Sequence, residues 1–412
     1  MARLKTALIV VLALLAGASL AVAALILART FETDDAQAKL TNFYTPPTEF
    51  NATPGTLIRF EPLGVDVPGA SAYRILYVTT DHNDEPAVAS GMAFVPLATT
   101  SDLPRKIVAW THGTTGQGDA CAPSRSANPI SQLIEFLPEA ISSDRVVTAP
   151  DYLGLGTPGI QQYLLKGQEV RDTVNSVRAA QALPDAQVGN DYAVFGHSQG
   201  GHTALWTGHL SQEYAPELNL VAVAAAAPAA ELQAIIDQQW QTVIGWVIGS
   251  EVMRSWPISY PALPIDSLIS RAAALNYNRM AQECITDAAL EGQIRQGVFN
   301  EEFFTRNPVT DPQWAQALKD QTPPPLPAEL PMMLIQGTAD QVVLAEPNAQ
   351  LQQDWCAAGS TINALWLGGV DHMKAAQVAG PSVISWINSI FDGKTPPNTC
   401  STPPPWSALT PK

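Results

Sequence analysis

Short apolar segments alternate with segments of helical periodicity along most of the chain. Continuous or alternating apolar runs predict strands at residues 73–80, 87–96, 106–110, 145–149, 191–195, 220–227, 332–336 and 364–367. Apolar positions three and four residues apart predict helices over residues 169–183, 198–210 and 383–391. Strands that alternate with helices favour an α/β fold, with a mostly parallel sheet that helices cover on both faces.

The alternation stops between residues 229 and 322, where helical patterns and several tryptophans occur before the proline run 323–327. This predicts a helical cap, or lid, inserted at 229–322 into a core formed by residues 39–228 and 323–400. Within that core, the Pro- and Gly-rich residues 39–70 predict an extended lead-in. Residues 401–412 predict a proline-rich tail.

The N-terminus has the pattern of an export signal. Arg3 and Lys5 precede an uncharged apolar run over residues 6–28, which is the order of a secretory signal peptide. The run is also long enough to span a bilayer, so residues 1–38 are interpreted as a signal peptide or an N-terminal membrane anchor. Either way, we expect the rest of the chain to be secreted, or anchored to the outer face of the membrane by residues 6–28.

The composition excludes one class of partner. The chain has 412 residues, of which 46% are apolar, and this is enough to bury a large core. Lys and Arg number 22 against 38 Asp and Glu, so the formal net charge is −16. A nucleic-acid partner is not expected, because phosphate binding needs concentrated positive charge.

The four cysteines, Cys121, Cys284, Cys356 and Cys400, form an even set in a chain predicted to be exported. Such a set favours two disulfides, with three possible connectivities. A bond between Cys356 and Cys400 would tie the tail to the body. The spacing of these cysteines does not match a zinc site, so no metal is expected.

The segment 196–200 reads Gly-His-Ser-Gln-Gly and matches G-x-S-x-G. In this pattern a sharp turn between a strand and a helix exposes the serine oxygen, and the flanking glycines avoid clashes. A predicted strand precedes the segment and a predicted helix follows it. Ser198 is therefore the candidate nucleophile.

A serine needs a base that takes its proton and an acid that orients the base. In this type of fold the chain order is serine, acid, histidine. His372 follows the last predicted strand and is the candidate base. Asp340 lies on a turn after the preceding strand and is the candidate acid. Asp371 is the rival, although adjacent residues rarely aim their side chains at each other.

The oxyanion that develops in acyl transfer needs preorganised N–H donors. One is expected from the residue after the nucleophile, Gln199, and the other from the loop after an early strand. That loop is His112-Gly-Thr-Thr-Gly116, and Thr114 is the predicted donor, with a register uncertainty of one residue.

These motifs together resemble the secretory lipase family, the yeast lipase A-like group of the α/β-hydrolases. The segments that carry the resemblance are Trp110-Thr-His-Gly-Thr-Thr-Gly116, Cys121-Ala-Pro-Ser124, Ala149-Pro-Asp-Tyr-Leu-Gly154, Gly196-His-Ser-Gln-Gly-Gly201, Gly337-Thr-Ala-Asp340 and Asp371-His372. The oxyanion loop looks more like that of bacterial members than that of yeast members, so a bacterial-type member is indicated.

The resemblance implies a secreted carboxylic ester hydrolase, a lipase or esterase, with a triad of Ser198, Asp340 and His372. It implies the α/β-hydrolase fold with a helical cap at 229–322. It further implies that Cys121 pairs with Cys284 and Cys356 with Cys400. Lipid esters such as triacylglycerols would be substrates, and the chemistry needs no metal or cofactor.

The cap contains a nearly continuous apolar run over residues 243–248, and a helix that is apolar on several sides must be buried or meet an apolar ligand. We expect the cap to form an acyl-binding tunnel with Trp246 and Ile248 as substrate-binding residues, and to contact a lipid–water interface. The alternatives are a cell-envelope acyltransferase with the same triad and an inactive binding protein with a hydrolase fold.

Overall fold

The computed structural model describes residues 35–98 and 103–406. The chain divides into two units, Met1–Thr45 and Pro46–Lys412. In the first unit, residues 35–44 are helical and are labelled α1. The predicted signal or anchor run over residues 6–28 lies outside the described residues. None of the helices in the described ranges is long and apolar enough to cross a bilayer.

The second unit is built on a nine-stranded sheet in the order β1-β2-β3-β5-β4-β6-β7-β8-β9. The strands are β1 (Leu57–Pro62), β2 (Ala70–Thr80), β3 (Pro86–Pro96), β4 (Arg105–Thr111), β5 (Arg145–Pro150), β6 (Val188–His197), β7 (Asn219–Ala226), β8 (Met332–Gly337) and β9 (Ile362–Leu367). The first three strands pair antiparallel, and every pair from β5 to β9 is parallel. The fold is therefore α/β, as the alternating pattern predicts.

Helices connect and cover the strands. They are α2 (Leu137–Ser142), α3 (Gln168–Ala180), α4 (Gln199–Tyr214), α5 (Leu232–Gln239), α6 (Val243–Ser259), α7 (Arg271–Met280), α8 (Ile285–Gly297), α9 (Pro312–Asp320), α10 (Ala345–Ala357) and α11 (Ala375–Phe391). Short 3-10 turns occur at Asp119–Cys121, Pro123–Arg125, Pro308–Thr310 and His372–Lys374.

Strand β4 shows how the sheet is buried on both faces. Val108 and Trp110 face one core cluster, which contains residues of α2 and α11. Ile107 and Ala109 face another, which contains residues of α3. Successive side chains of a strand point to opposite faces, so a strand with apolar residues at every position must be covered on both sides.

Five helices, α5 to α9, lie between β7 and β8 in the chain. Buried side chains of these helices and of the segments between them form one apolar cluster, which includes Trp246, Trp256, Phe303 and Trp314 and also takes in residues 163–165 and Val343. Trp256 and Trp314 stack with their planes 17° apart. The tryptophan-rich region of the sequence is therefore a packed helical layer with its own core.

The extended lead-in expected over residues 39–70 is wrong at residues 39–44, and it did not include the strand β1. Residues 35–44 are helical, and Leu57–Pro62 forms the edge strand β1, which pairs antiparallel with β2. A register shift between Leu57 and Arg59 breaks the alternation by which a strand is recognised in a sequence. Helix α11 also begins earlier than predicted, at Ala375. The predicted start lay after Pro381, but this proline lies inside the helix.

The structure contains two disulfides, Cys121–Cys284 and Cys356–Cys400, which is the pairing that the family resemblance implies. The first joins the segment after β4 to the N-terminal end of α8. The second joins α10 to the segment after α11. One disulfide thus links the helical layer to the strand-based core, whereas the other lies within the core.

Candidate active site

The candidate catalytic residues come from the carboxyl ends of neighbouring parallel strands. Ser198 follows β6, Asp340 follows β8, and His372 follows β9, while the loop 112–116 follows β4. Parallel strands bring their carboxyl ends to the same edge of a sheet. Residues that are far apart in sequence therefore meet at this edge.

The turn after β6 forces Ser198 into an unusual backbone conformation, with φ of 57° and ψ of −116°. The turn is tight enough that a Cβ at position 196 would lie 2.0 Å from the carbonyl oxygen of Gly200. A Cβ at position 200 would lie 1.9 Å from the carbonyl oxygen of Thr111. Only glycine fits at Gly196 and Gly200, and the turn they permit places Ser198 at the start of α4.

Ser198, His372 and Asp340 form a continuous hydrogen-bonded chain. His372 Nε2 lies 2.9 Å from Ser198 Oγ, and His372 Nδ1 lies 2.7 Å from Asp340 Oδ2. All three residues are buried. The arrangement allows the imidazole to accept the serine proton while the carboxylate stabilises the resulting imidazolium.

Asp340 is held by the turn that carries it. Its Oδ1 accepts hydrogen bonds from the backbone N–H groups of Val342 and Val343, at 2.8 and 3.0 Å. The rival carboxylate, Asp371, instead accepts from the backbone N–H of Lys374 and pairs with the ammonium of the same residue. Of the two, only Asp340 contacts the ring of His372.

His197, beside the nucleophile, contacts the candidate base. Its Nε2 lies 2.9 Å from the carbonyl oxygen of His372, and the two rings lie 4.7 Å apart. Burial, together with the charge of His372, lowers the pKa of His197 to about 3. His197 is therefore neutral and donates Nε2–H to that carbonyl, which fixes the backbone that carries His372.

The two predicted oxyanion donors are each held by their own side chain. Thr114 Oγ1 lies 2.8 Å from the hydroxyl of Tyr163. The side-chain amide of Gln199 donates to Glu169 Oε1 at 2.5 Å. The sequence analysis missed Tyr163 and Glu169, because neither belongs to a recognisable motif and the fold brings them from other segments.

The loop 112–116 also contacts buried residues of the segment after β5. His112 stacks on Tyr152 with ring centres 4.4 Å apart, and its Nε2 lies 3.1 Å from the carbonyl oxygen of Asp151. Asp151 is fully buried and accepts hydrogen bonds from Ser124 and Ser90. These contacts hold the loop 112–116 in place against the strand-based core.

Two buried glutamates lie near this support. Burial raises the pKa of Glu169 to about 8. Burial, with the charge of Glu169 as a second cause, raises the pKa of Glu251 on α6 well above its usual range. Glu169 accepts from Gln199 and Thr203, whereas Glu251 Oε2 has no partner within the described residues. These raised pKa values favour the uncharged form of both side chains at neutral pH.

Two apolar cavities meet at Ser198. The inner cavity, about 60 Å³, extends into the helical layer. It is lined by residues that include Leu232, Ile235, Val252, Trp256, Phe304 and Trp314. The outer cavity, about 230 Å³, is lined by residues that include Val243, Val247, Ile285, Ala289, Met373 and Ala376. Ile244, Ile248 and Val342 border both cavities and separate them.

The two residues expected to bind substrate have different environments. Ile248 borders both cavities. Trp246 borders neither of them; it is buried against Phe303 and donates its indole N–H to the carbonyl oxygen of Glu301. The apolar run 243–248 thus supplies one wall residue and one residue of the helical core.

The described ranges contain no group of three or more His, Cys, Asp or Glu side chains that could hold a metal ion. The side chains of Ser198, His372 and Asp340 at the strand edge are instead hydrogen-bonded to one another, and that of Asp340 also to the backbone.

Comparison with known proteins identifies the family. Residues 132–399 match the secretory lipase family, which is more than half of the chain. The chain belongs to the secretory lipase family. The resemblance predicted from the motifs is thereby confirmed.

Two relatives show the range within this family. Lipase 2 of Candida albicans is 24% identical, over 87% of this chain and 82% of the relative. A protein of Mycobacterium tuberculosis described as a probable inactive lipase is 22% identical, over 85% of this chain and 82% of the relative. Family membership therefore does not by itself establish that a member is active.

Among solved structures, Candida antarctica lipase A in its closed state has a TM-score of 0.68 to this chain, with 19% identity over 89% of each chain. At this identity the similarity supports the fold, which is α/β with a mostly parallel sheet.

Proposed function

We propose that this secretory lipase family member is an active serine ester hydrolase, a lipase or esterase that forms an acyl-enzyme on Ser198. The observation that carries the proposal is the hydrogen-bonded chain from Ser198 through His372 to Asp340, placed where two apolar cavities meet. A catalytic serine needs these hydrogen bonds to a base and an acid, and an apolar ester needs the apolar walls of these cavities.

In the proposed reaction, His372 Nε2 accepts the proton of Ser198 as the serine oxygen attacks the ester carbonyl. Asp340 stabilises the charged imidazole through Nδ1. His372 then gives the proton to the departing alcohol, and the ester carbon stays bonded to the serine oxygen. Water, activated by the same imidazole, repeats these steps and releases the acid.

The backbone N–H groups of Gln199 and Thr114 are the proposed oxyanion donors. Gln199 borders the inner cavity and Thr114 the outer cavity, so the carbonyl oxygen of a bound ester would lie between them. Donors that are already fixed stabilise the developing charge without reorganisation. The hydrogen bonds of their side chains to Glu169 and Tyr163 support this role.

Residues 229–322 act as a cap in this proposal, on a core of residues 39–228 and 323–400 with a tail at 401–412. The inner cavity would receive the acyl chain, with Ile248 as one of its walls. This cavity is almost wholly apolar and penetrates the cap, as an acyl tunnel requires. Triacylglycerols and other lipid esters are the proposed substrates.

The proposed location is outside the cytoplasm, either secreted or anchored by residues 6–28. Family membership, the two disulfides and the N-terminal apolar run support it. The cap also exposes large apolar side chains, with Leu275, Val298 and Phe299 each more than half exposed. This surface would contact a lipid–water interface. The negative net charge favours neutral lipid over anionic lipid.

A serine-directed fluorophosphonate probe tests the proposal directly. The wild-type protein should be labelled at Ser198 and should hydrolyse chromogenic esters. Ser198→Ala should abolish labelling and reduce turnover by a factor on the order of 10⁴–10⁶. Ser211→Ala, a buried serine on the same helix, is the matched control and should remain labelled.

Two outcomes would replace this function with another. A folded wild-type protein that is neither labelled nor active would support an inactive binding protein. Ester products that dominate over free acid when an alcohol is added at low concentration would support an acyltransferase.

A further inference from the structure

The two cavities have different relations to the catalytic groups. The outer cavity is bordered by His372, Thr114 and Ser198, whereas the inner cavity is bordered by Ser198 and Gln199 without His372. Because His372 must protonate the departing oxygen, the alcohol portion of an ester has to lie on the side where His372 is found. The acyl portion then occupies the inner cavity, and the alcohol portion the outer cavity.

The outer cavity is apolar beyond the catalytic groups. Its walls come from α6, α8 and α11, and Gln132 and Gln377 are the polar side chains away from the strand edge. A sugar or a free glycerol would lose water hydrogen bonds there and find few replacements. A hydrocarbon chain loses nothing and gains from the removal of its surface from water.

The cavities also differ in how they end. Every residue that lines the inner cavity is buried or half-buried, so that cavity is the more enclosed of the two. Met373 lines the outer cavity and is 67% exposed. The outer cavity therefore reaches the surface at Met373.

We propose that the outer cavity is a binding site for an extended alkyl alcohol, so that the substrates include wax-type esters with a hydrocarbon chain on each side of the ester bond. This inference rests on the proposed hydrolase function and specifies its substrate class. The two sides should respond differently to length: the acyl side has a limit set by the more enclosed inner cavity, whereas the alcohol side reaches the surface.

Two esters can be made to compete in the same emulsion. The ratio of their kcat/KM values is then independent of the area and composition of the lipid–water interface, because both esters share it. In a series of butyrate esters from ethyl to octyl, kcat/KM should rise by up to about fourfold per methylene, and then level off without falling. In a series of ethyl esters of increasing acyl length, kcat/KM should rise and then fall once the inner cavity is full.

Substitutions in each cavity test whether it determines the dependence of kcat/KM on alcohol length or on acyl length. Ala289→Trp fills the outer cavity from α8 and should lower the ratio of octyl to ethyl butyrate by about tenfold or more. Leu290→Trp, at the next and solvent-exposed position of the same helix, is the matched control and should leave this ratio unchanged. Ile236→Trp narrows the inner cavity and should instead reduce the preference for long acyl chains.

The inference is overturned if kcat/KM does not change with alcohol length while Ser198-dependent hydrolysis of ethyl butyrate persists. It is also overturned if Ala289→Trp and Leu290→Trp have equal effects. Faster turnover of tributyrin than of octyl butyrate would point to a diacylglycerol rather than a single alkyl chain and would reject the wax-type assignment. Absence of both labelling and hydrolysis would reject the proposed function itself.

Discussion

The strand edge and the helical layer of residues 229–322 meet at Ser198 but are built in opposite ways. At the strand edge the candidate catalytic side chains are fixed by hydrogen bonds to one another, as in the chain from Asp340 through His372 to Ser198. The helical layer presents buried aliphatic and aromatic walls to the inner cavity. Hydrogen bonds are directional and fix positions to fractions of an ångström, whereas apolar contacts are not directional.

This contrast suggests that the strand edge determines the reaction rate and the helical layer determines which ester is preferred. Changes at the strand edge should alter the rate for every ester by a similar factor. Changes in the helical layer should alter which ester is preferred. A variant that violates this division would show that the two regions act as one unit.

The largest effect is expected at the acid. Asp340→Asn leaves the shape intact but offers an amide that cannot stabilise the imidazolium, and it should lower kcat by a factor on the order of 10⁴ on short and long esters alike. Asp371→Asn, one residue from the same histidine, should change kcat only a few-fold because Asp371 pairs with Lys374. Steady-state kinetics on two acyl lengths decide between them, and a larger loss for Asp371→Asn would mean that the acid is misassigned.

The two disulfides should differ in their effects on stability and on substrate preference. Removal of Cys121–Cys284, for example by the double change to alanine, should lower the free energy of unfolding by about 3–5 kcal/mol, since this bond closes the longer loop. It should also impair long-chain esters most, because it joins the helical layer to the core. Removal of Cys356–Cys400 should reduce stability by roughly 2–4 kcal/mol and leave substrate preference unchanged. Urea unfolding and chain-length profiles measure the two effects, and identical profiles for both variants would count against this division.

Within the run 243–248, we expect Ile248 and Trp246 to behave differently. Ile248→Trp places bulk at the border of both cavities and should reduce kcat/KM for palmitoyl relative to butyryl esters by about tenfold. Trp246→Phe removes one hydrogen bond and some buried volume, so it should cost about 1–3 kcal/mol of stability with the same chain-length preference. An altered preference in Trp246→Phe would place that residue in the tunnel after all.

The smallest effect concerns Glu169, whose raised pKa of about 8 keeps it neutral below that pH. As the pH rises above 8 the carboxylate becomes negative next to Gln199, repels the developing oxyanion and should lower kcat/KM several-fold. Glu169→Gln keeps the hydrogen bond to Thr203 but cannot ionise, so the alkaline decline should disappear.

Other groups around Glu169 are candidates for the same titration. They are Asp172 on the same helix, Tyr152 and Tyr163 in neighbouring loops and Glu251 on α6. Glu251→Gln is therefore the control and should retain the decline. A decline that persists in Glu169→Gln would assign it to one of these groups.

The sequence could predict those parts of the molecule in which the reactive residues and the residues that shape the local backbone are neighbours in the chain. A serine between two glycines after an apolar strand specifies its own turn, and a carboxylate and a histidine after later strands follow from chain order. The strands of the parallel sheet were predicted because residues such as Val108 and Ala109 are apolar on both faces.

The missed features depend on contacts between distant segments. Glu169 lies in a segment whose periodicity predicts an amphipathic helix, and nothing near it in sequence shows that it binds Gln199. Trp246 and Ile248 are two residues apart and equally apolar, and only the packing of α6 decides which one faces a cavity. Pro381 lies inside α11 against the usual preference of proline, so the start of that helix was placed too late.

The enclosure of the inner cavity has a consequence for the order in which products would leave. In the proposed reaction, the alcohol would depart through the outer cavity, which reaches the surface at Met373, before water attacks the acyl-enzyme. The fatty acid would then withdraw along its full length past Ser198. We expect release of the acid to limit turnover on long chains, so free fatty acids should inhibit this enzyme more strongly than alcohols of equal length.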